Sequence, residues 1–472
     1  MPSMGTSMST STSPPAQKPA IGSTVVTARA LHSLNGDLRH ICLNGGKGVV
    51  ASSRPVTPVN VETIIWSFFM TLTALRRPRR RLTALLALPV AGAVGAAALV
   101  APSPAVAAPP LSANCDSSTG DPAISGFLTH EEVERRLQQI VRTSNGTVDV
   151  DVAGYTNKKR ELWTARVGDG DKVVLIQSQI HGNEPHGTMA ALNLLQTMGG
   201  NSQRAQAMRK AVTVVMVPQL NADGAALDRR QNDQTWAEVV QEFPALAGAP
   251  QSWNYRSSVG GFDTNRDFNP DLDYTPKAAD FPGTSAGTGW YVTPEAQTVR
   301  EVYRGLEKEF GTVDVFVDLH NQGPCYTGET PDGEGTGEYS TLSISGRFID
   351  DPTAFGDWPK FDYDASRRVN VAVFDALQQR GESPFGTVTL YPQDTNLPGT
   401  ALGSFALRGS ATVLFETTGQ TQSAGQREIG QLVKQVEVGL TGIIDGLTDG
   451  TMAKIDANRY DSIPERKNIP RD

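Results

Sequence analysis

From about residue 125 onward, apolar residues fall into short runs without alternation, separated by amphipathic stretches. KVVLIQSQ (172–179), TVVMVPQL (213–220), VDVFVDLH (313–320) and ATVLFET (411–417) read as strands buried on both faces, and VDVDVAG (148–154), LWTARVG (162–168) and TVTLYP (387–392) as further strands. Helices are predicted between them. Thr129 to Glu132 has the form of a capping box and leads into a helix to about Val141. A second runs from about His186 to Met198, and a third opens at Thr293-Pro294-Glu295, with proline at its first position, and reaches about Phe310. Two more are expected over 364–380 and 424–447. Strands without alternation, interleaved with helices, predict an α/β fold: one domain over 128–450 with a mostly parallel, mixed central sheet flanked by helices. A linker (108–127) precedes it and a C-terminal tail (451–472) follows. Two stretches, 226–262 and 321–362, are long for loops, and long ordered loops often build substrate sites.

The first hundred residues read differently. Residues 1–69 are rich in Ser, Thr, Pro and Gly without periodicity, as in disordered or untranslated sequence. Met70 then precedes Arg76, Arg77, Arg79, Arg80 and Arg81, an apolar run from Leu82 to Val100, and the small-residue motif Ala105-Val106-Ala107. A basic, then apolar, then small-residue order is that of a secretory signal peptide, here 70–107. It predicts a start at Met70 and a secreted chain with no stable membrane partner after cleavage. The competing expectation is a membrane anchor over 82–100, for which the run is almost long enough. N-terminal sequencing of the native protein distinguishes the two.

The leader changes the charge picture. The whole chain has a formal net charge of −8, but residues 1–107 hold 10 of the 42 Lys and Arg and 2 of the 50 Asp and Glu. The remainder carries 32 basic against 48 acidic residues, a formal −16. Such a surface argues against nucleic acid as partner. Cys115 and Cys325 remain after the leader, an even count compatible with one disulfide in an oxidising compartment.

Four histidines lie beyond residue 107, and two of them follow buried strands. QIHGNEPHG places His181 and Glu184 three apart after strand 172–179, and VDLHNQG places His320 at the end of strand 313–320. Ligand sites in open α/β sheets lie outside the carboxyl ends of the strands, so these side chains are expected to converge. Two histidines and one carboxylate form a standard set for catalytic zinc.

Five stretches in one order, HGNEPHG, NADG (221–224), FDTNRDFNP (262–270), DLH (318–320) and VLFETTG (413–419), resemble the zinc carboxypeptidases related to pancreatic carboxypeptidase A. The resemblance covers roughly 125–450 and implies a carboxypeptidase-like fold, one zinc ion per chain and a peptide substrate with a free C-terminal carboxylate. It implies His181, Glu184 and His320 as zinc ligands and Glu416 as general base. Asn265 and Arg266 match the pair that grips the terminal carboxylate, and Asp263 matches a residue that orients a zinc-binding histidine. The arginine that steadies the oxyanion has two candidates: Arg230, by its distance from NADG, and Arg256, by its distance from Asn265. Departures are Ala222 for the family's proline, Asp267 for an asparagine, and Tyr391, three residues farther from Glu416 than the family's mobile tyrosine. LPGTALGSF (397–405) has no acidic residue where members selective for basic termini carry one, which favours a neutral or apolar last residue. Alternatives are a zinc amidohydrolase of the same fold, acting on cell-wall peptides or N-acyl amino acids, and a binding module that has lost catalysis.

Overall fold

The computed structural model describes residues 124–322, 325–327, 339–350, 353, 356–378, 385, 387–392, 396–421 and 426–467. The expectations for 1–69, the leader 70–107, Cys115 and most of the linker lie outside these residues, as does the side chain of Cys325.

Twelve strands are present among them: β1 Val148–Tyr155, β2 Glu161–Val167, β3 Lys172–Ser178, β4 Val212–Val217, β5 Tyr255–Arg256, β6 Gly261–Phe262, β7 Val315–Gln322, β8 Cys325–Thr327, β9 Tyr339–Ser345, β10 Thr387–Leu390, β11 Ala411–Thr418 and β12 Arg466–Lys467. Ten form one sheet in the order β1-β2-β4-β3-β7-β11-β9-β8-β12, with β10 paired to β9, while β5 and β6 form a separate hairpin. The centre, β4-β3-β7-β11, is parallel. The flanks, β1-β2-β4 on one side and β11-β9-β8-β12 on the other, are antiparallel. The fold is therefore a mixed sheet with the parallel strands at its middle.

The helices are α1 His130–Thr143, α2 His186–Met198, α3 Gln203–Ala211, α4 Ala222–Ala226, α5 Trp236–Glu242, α6 Pro294–Phe310, α7 Tyr363–Gln378, α8 Ala401–Leu407 and α9 Gln426–Thr448. The Thr129–Glu132 capping box is formed. Strand alternation explains the layers. Val174 and Ile176 of β3 join α2, α7 and α9 in one core, while Val173 and Leu175 join α6 and α8 in the other.

The two long stretches hold regular elements among their described residues. Residues 226–262 hold α5 and the β5–β6 hairpin over a small core of Val239, Leu246, Phe262, Phe281, Trp290 and Val292. Within 321–362 lie β8 and β9. The tail does not trail away. Tyr460 and Ile463 are buried in the main core, the Leu390 N–H donates to the Pro464 carbonyl (2.7 Å), and β12 pairs with β8. The packed chain thus runs on to at least 467, past the expected end at 450.

Glu295, in the first turn of α6, is completely buried and accepts from Asn232 Nδ2 at 2.9 Å. Burial pushes its pKa up to about 8. In the unfolded chain it ionises near 4.5, so between these values the unfolded state loses the proton that the folded state keeps, and stability falls as pH rises. Glu295→Gln keeps the oxygen that faces Asn232 and removes the titration. Denaturant unfolding from pH 5 to 8 is expected to show the wild type losing on the order of a few kcal/mol relative to Glu295→Gln; parallel pH profiles would contradict this.

Candidate metal centre

β7 runs parallel between β3 and β11, which brings their carboxyl ends together. Val315, Val317 and Leu319 face the α2 layer and Phe316 the α8 layer, so Asp318, His320 and Gln322 share the α8 face. Glu416 follows Leu414 onto the same face and stands directly opposite His320 in the ladder, where neighbouring strands are about 4.8 Å apart.

His181 reaches this point through a tight turn. Gln179 takes a left-handed conformation (φ +56°) that ends β3, and its Nε2 donates to the Gly182 carbonyl at 2.7 Å. A Cβ on Gly182 would lie 2.0 Å from the Gly224 carbonyl carbon, so this residue must be glycine for the turn to lie against NADG. Asn221 fastens the contact by donating from Nδ2 to the carbonyls of Ile180 (3.1 Å) and Arg230 (3.2 Å). Asp223, wholly buried, accepts from Thr156 Oγ1 and the Lys158 N–H, both at 2.9 Å. NADG is thus a bracket that holds the His181 turn and delivers Arg230 to it.

His181, Glu184 and His320 are all at most 3% exposed, and one ligand atom from each lies within 4.8 Å of the others. His181 Nδ1 is 2.9 Å from Glu184 Oε1, His320 Nδ1 is 2.8 Å from Glu184 Oε2, and the two Nδ1 atoms are 3.1 Å apart. Each ring's other nitrogen faces a carboxylate: His181 Nε2 lies 3.2 Å from Asp263 Oδ1, and His320 Nε2 lies 2.9 Å from Asp318 Oδ2. A carboxylate on Nε2 holds the proton there and turns the Nδ1 lone pair inward. Two imidazole lone pairs and a carboxylate converging on one point repel one another unless a cation sits among them. The donor set therefore fits a divalent metal of the zinc type.

Electrostatics agree with that demand. Burial disfavours the Glu184 carboxylate, yet His181 and His320 hold its pKa below the ordinary range. Burial likewise opposes a charged His320, but Asp318 and Glu184 hold its pKa well above the usual value. The cluster attracts positive charge, and metal and proton compete for it. Burial pushes Glu416, by contrast, up to about 7, with the His320 charge working against that rise.

Of the other expected residues, Arg230 comes to the centre. Its Nε and Nη2 donate to Asp263 Oδ2 at 3.1 and 2.9 Å, and its Nη1 lies 3.2 Å from His181 Nδ1 and 3.6 Å from Glu184 Oε1. Arg256 instead lies exposed on the β5–β6 hairpin. Asn265 is 4% exposed and turned inward: its Nδ2 lies 3.2 Å from His320 Nε2 and 3.5 Å from Asp318 Oδ2, and its Oδ1 accepts from the Ala401 N–H at 3.1 Å. Asn265, expected to hold substrate, thus lies between the His320–Asp318 pair and the start of α8. Arg266 is half-buried, with Nη1 donating to the Asn265 carbonyl at 2.6 Å. Tyr391, also half-buried, stands in the field of Glu416, Arg466, Arg230 and Arg266. Asp267 accepts from the Thr293 N–H (2.7 Å) and Oγ1 (2.8 Å), which pins the start of α6.

His186 is no ligand in this arrangement. It is buried against Phe127, with ring centroids 4.9 Å apart, and burial lowers its pKa to about 4. His130 is stacked on Trp163, with ring centroids 4.3 Å apart. Two residues of the site escaped the sequence reading. Asp318 was findable, since a residue two before His320 on a strand shares its face. Arg466 was not, because nothing local ties it to Gln322, 144 residues earlier.

A family described as zinc carboxypeptidase matches residues 133–327, a stretch that contains His181, Glu184 and His320 and ends before Glu416. Among solved structures, bovine thrombin-activatable fibrinolysis inhibitor in complex with tick carboxypeptidase inhibitor is 13% identical, over 69% of this chain and 98% of that one, with a TM-score of 0.46. A metallo-carboxypeptidase from Burkholderia cenocepacia is 15% identical, over 68% and 70%, at 0.41. Carboxypeptidase A from Helicoverpa armigera is 15% identical, over 68% and 74%, also at 0.41. No curated protein sequence matches significantly.

Proposed function

We propose, from the match of residues 133–327 to a family described as zinc carboxypeptidase, that this protein hydrolyses the last peptide bond of peptides with a free C-terminal carboxylate. The observation that carries the reading is the convergence of His181 Nδ1, His320 Nδ1 and Glu184, each imidazole backed by a carboxylate, beside Glu416.

His181, Glu184 and His320 would hold a zinc ion, which would supply an acidified water and Lewis-acid polarisation of the scissile carbonyl. The chain's own residues supply the rest. Asp263 and Asp318 fix the imidazole tautomers and ring orientations. Glu416, whose pKa burial raises to about 7, takes a proton from the attacking water and passes it to the leaving amine. Arg230, held by Asp263 next to the ligands, places positive charge where the carbonyl oxygen becomes anionic. Arg266 grips the terminal carboxylate with its planar fork, and Asn265 holds the floor beneath it. The leader-like pattern of 70–107 supports export as the setting.

The arginine grip is tested by Arg266→Ala. On peptides with a free C-terminus, kcat/KM is expected to fall by roughly 10- to 100-fold, the worth of a charge-assisted pair. Activity on C-terminally amidated peptides, expected to be low in the wild type, should not change. Equal activity of the variant and the wild type on free C-termini would refute the exopeptidase assignment.

A further inference from the structure

The turn that carries His181 contains a side chain its backbone disfavours. Gln179 sits at φ +56°, a left-handed conformation that glycine adopts freely and a residue with a Cβ adopts only at a cost. Such residues persist where surrounding contacts over-determine them, and they cluster at functional sites. Gln179 is 3% exposed, and both ends of its amide are engaged. Nε2 donates to the Gly182 carbonyl at 2.7 Å. Oε1 accepts from Gln219 Nε2 at 3.2 Å and stands 2.9 Å from Thr188 Oγ1. A carbonyl can only accept, so the nitrogen end of the amide must face Gly182 and the oxygen end the two donors. Gln219 is buried as well, and its Oε1 lies 2.8 Å from His130 Nδ1, which fixes the donor that Gln179 receives. The Gln179 backbone is held too, its carbonyl accepting from the Asn221 N–H at 2.9 Å.

His181 lies inside this clamp. The carbonyl of Ile180, one residue before it, accepts from Asn221 Nδ2 at 3.1 Å and Thr264 Oγ1 at 2.9 Å. The carbonyl of Gly182, one residue after it, accepts from Gln179. Asn221 and Thr264 come from segments packed outside the turn, whereas Gln179 closes the turn from within. Glycine at 179 would suit the backbone better but would withdraw this donor. We propose that Gln179 is a positioning residue for the metal centre: its side-chain amide fixes the 180–182 turn so that His181 Nδ1 meets Glu184 Oε1 and His320 Nδ1. This proposal rests on the metal-centre reading and deepens it, giving the unfavourable conformation of Gln179 a purpose that a simple connection between β3 and α2 does not require.

Glycine and asparagine both accept a left-handed backbone, but glycine has no amide and asparagine's is shorter by one methylene. In Gln179→Gly and Gln179→Asn the zinc dissociation constant is therefore expected to rise by roughly tenfold, as for other groups that orient metal ligands. Zinc itself is spectroscopically silent, so cobalt(II) in its place supplies the second readout: its visible absorption follows ligand geometry, and the band of both variants is expected to differ from that of the wild type. Both measurements are made on full-length protein whose near-ultraviolet circular dichroism shows it to be folded. A purely structural role for Gln179 would lower the thermal midpoint of the metal-free protein and leave the zinc affinity and the cobalt band of the folded variants as in the wild type; that result overturns the proposal. Should both variants fail to fold, Gln219→Leu decides by the same readouts, since it withdraws a donor from Gln179 Oε1 and leaves position 179 intact: a displaced cobalt band supports the proposal and an unchanged one overturns it. A wild-type chain that binds neither zinc nor cobalt would sink the metal-centre reading and the proposal together, whereas wild-type binding with unaltered variants sinks the proposal alone.

Discussion

Glu416→Gln is expected to keep one zinc per chain and to lose turnover by about three orders of magnitude, within the range of general acid–base contributions. Glutamine has the shape of glutamate and still forms hydrogen bonds, but it cannot take a proton from water. Glu416 lies outside the group of three converging ligand atoms, so its replacement leaves the metal cradle whole. It stands opposite His320 in the β7–β11 ladder, on the face where the ligands converge, which is the place the proposed base requires. Steady-state kinetics with metal analysis on the same preparation reads both halves. Substantial residual kcat would move the base elsewhere; loss of zinc would make Glu416 a ligand.

The second large effect is expected for His320→Ala. Glu184 Oε2 and His181 Nδ1 lie 2.8 and 3.1 Å from His320 Nδ1, so the substitution removes one of three donors from a common centre. Two protein ligands rarely suffice for a catalytic zinc. Zinc content should fall from one per chain to near zero, and peptide cleavage to background. Asp318, wholly buried and facing His320 Nε2 at 2.9 Å, loses that partner as well. A buried carboxylate stripped of its partner costs several kcal/mol, so the thermal midpoint should also drop. Full zinc occupancy in this variant would show that His320 is not a ligand.

Much of this arrangement was legible in the sequence because it is local. The strands 172–178, 212–217, 315–322 and 411–418 were visible as apolar runs, and the rule that sites lie beyond strand carboxyl ends then placed His181, Glu184 and His320 together. What stayed hidden depends on tertiary contact. β9 (YSTLSIS) alternates Ser and Thr with apolar residues and reads as loop; it is a strand because it pairs with β11 and turns Ser343 and Ser345 towards the site. α8 (ALGSFAL) is too short to show a period, and it is held by Thr400 capping the Gly403 N–H and by Phe405 stacked on Tyr303 at 4.0 Å. The inward turn of Asn265 depends on Asp318 and Ala401, which are 53 and 136 residues away. Arg466 is the extreme case, since only the pairing of the tail with β8 and β10 brings it to Gln322 and Tyr391.

Anomalous diffraction at the zinc edge, from crystals of zinc-loaded protein, tests the metal centre most directly. The expected result is a single peak about 2 Å from His181 Nδ1, His320 Nδ1 and a Glu184 oxygen, with Asp263 and Asp318 still on the far side of the two rings. A peak bound through the Nε2 atoms, a peak at another site, or no peak in crystals of fully active enzyme would contradict it.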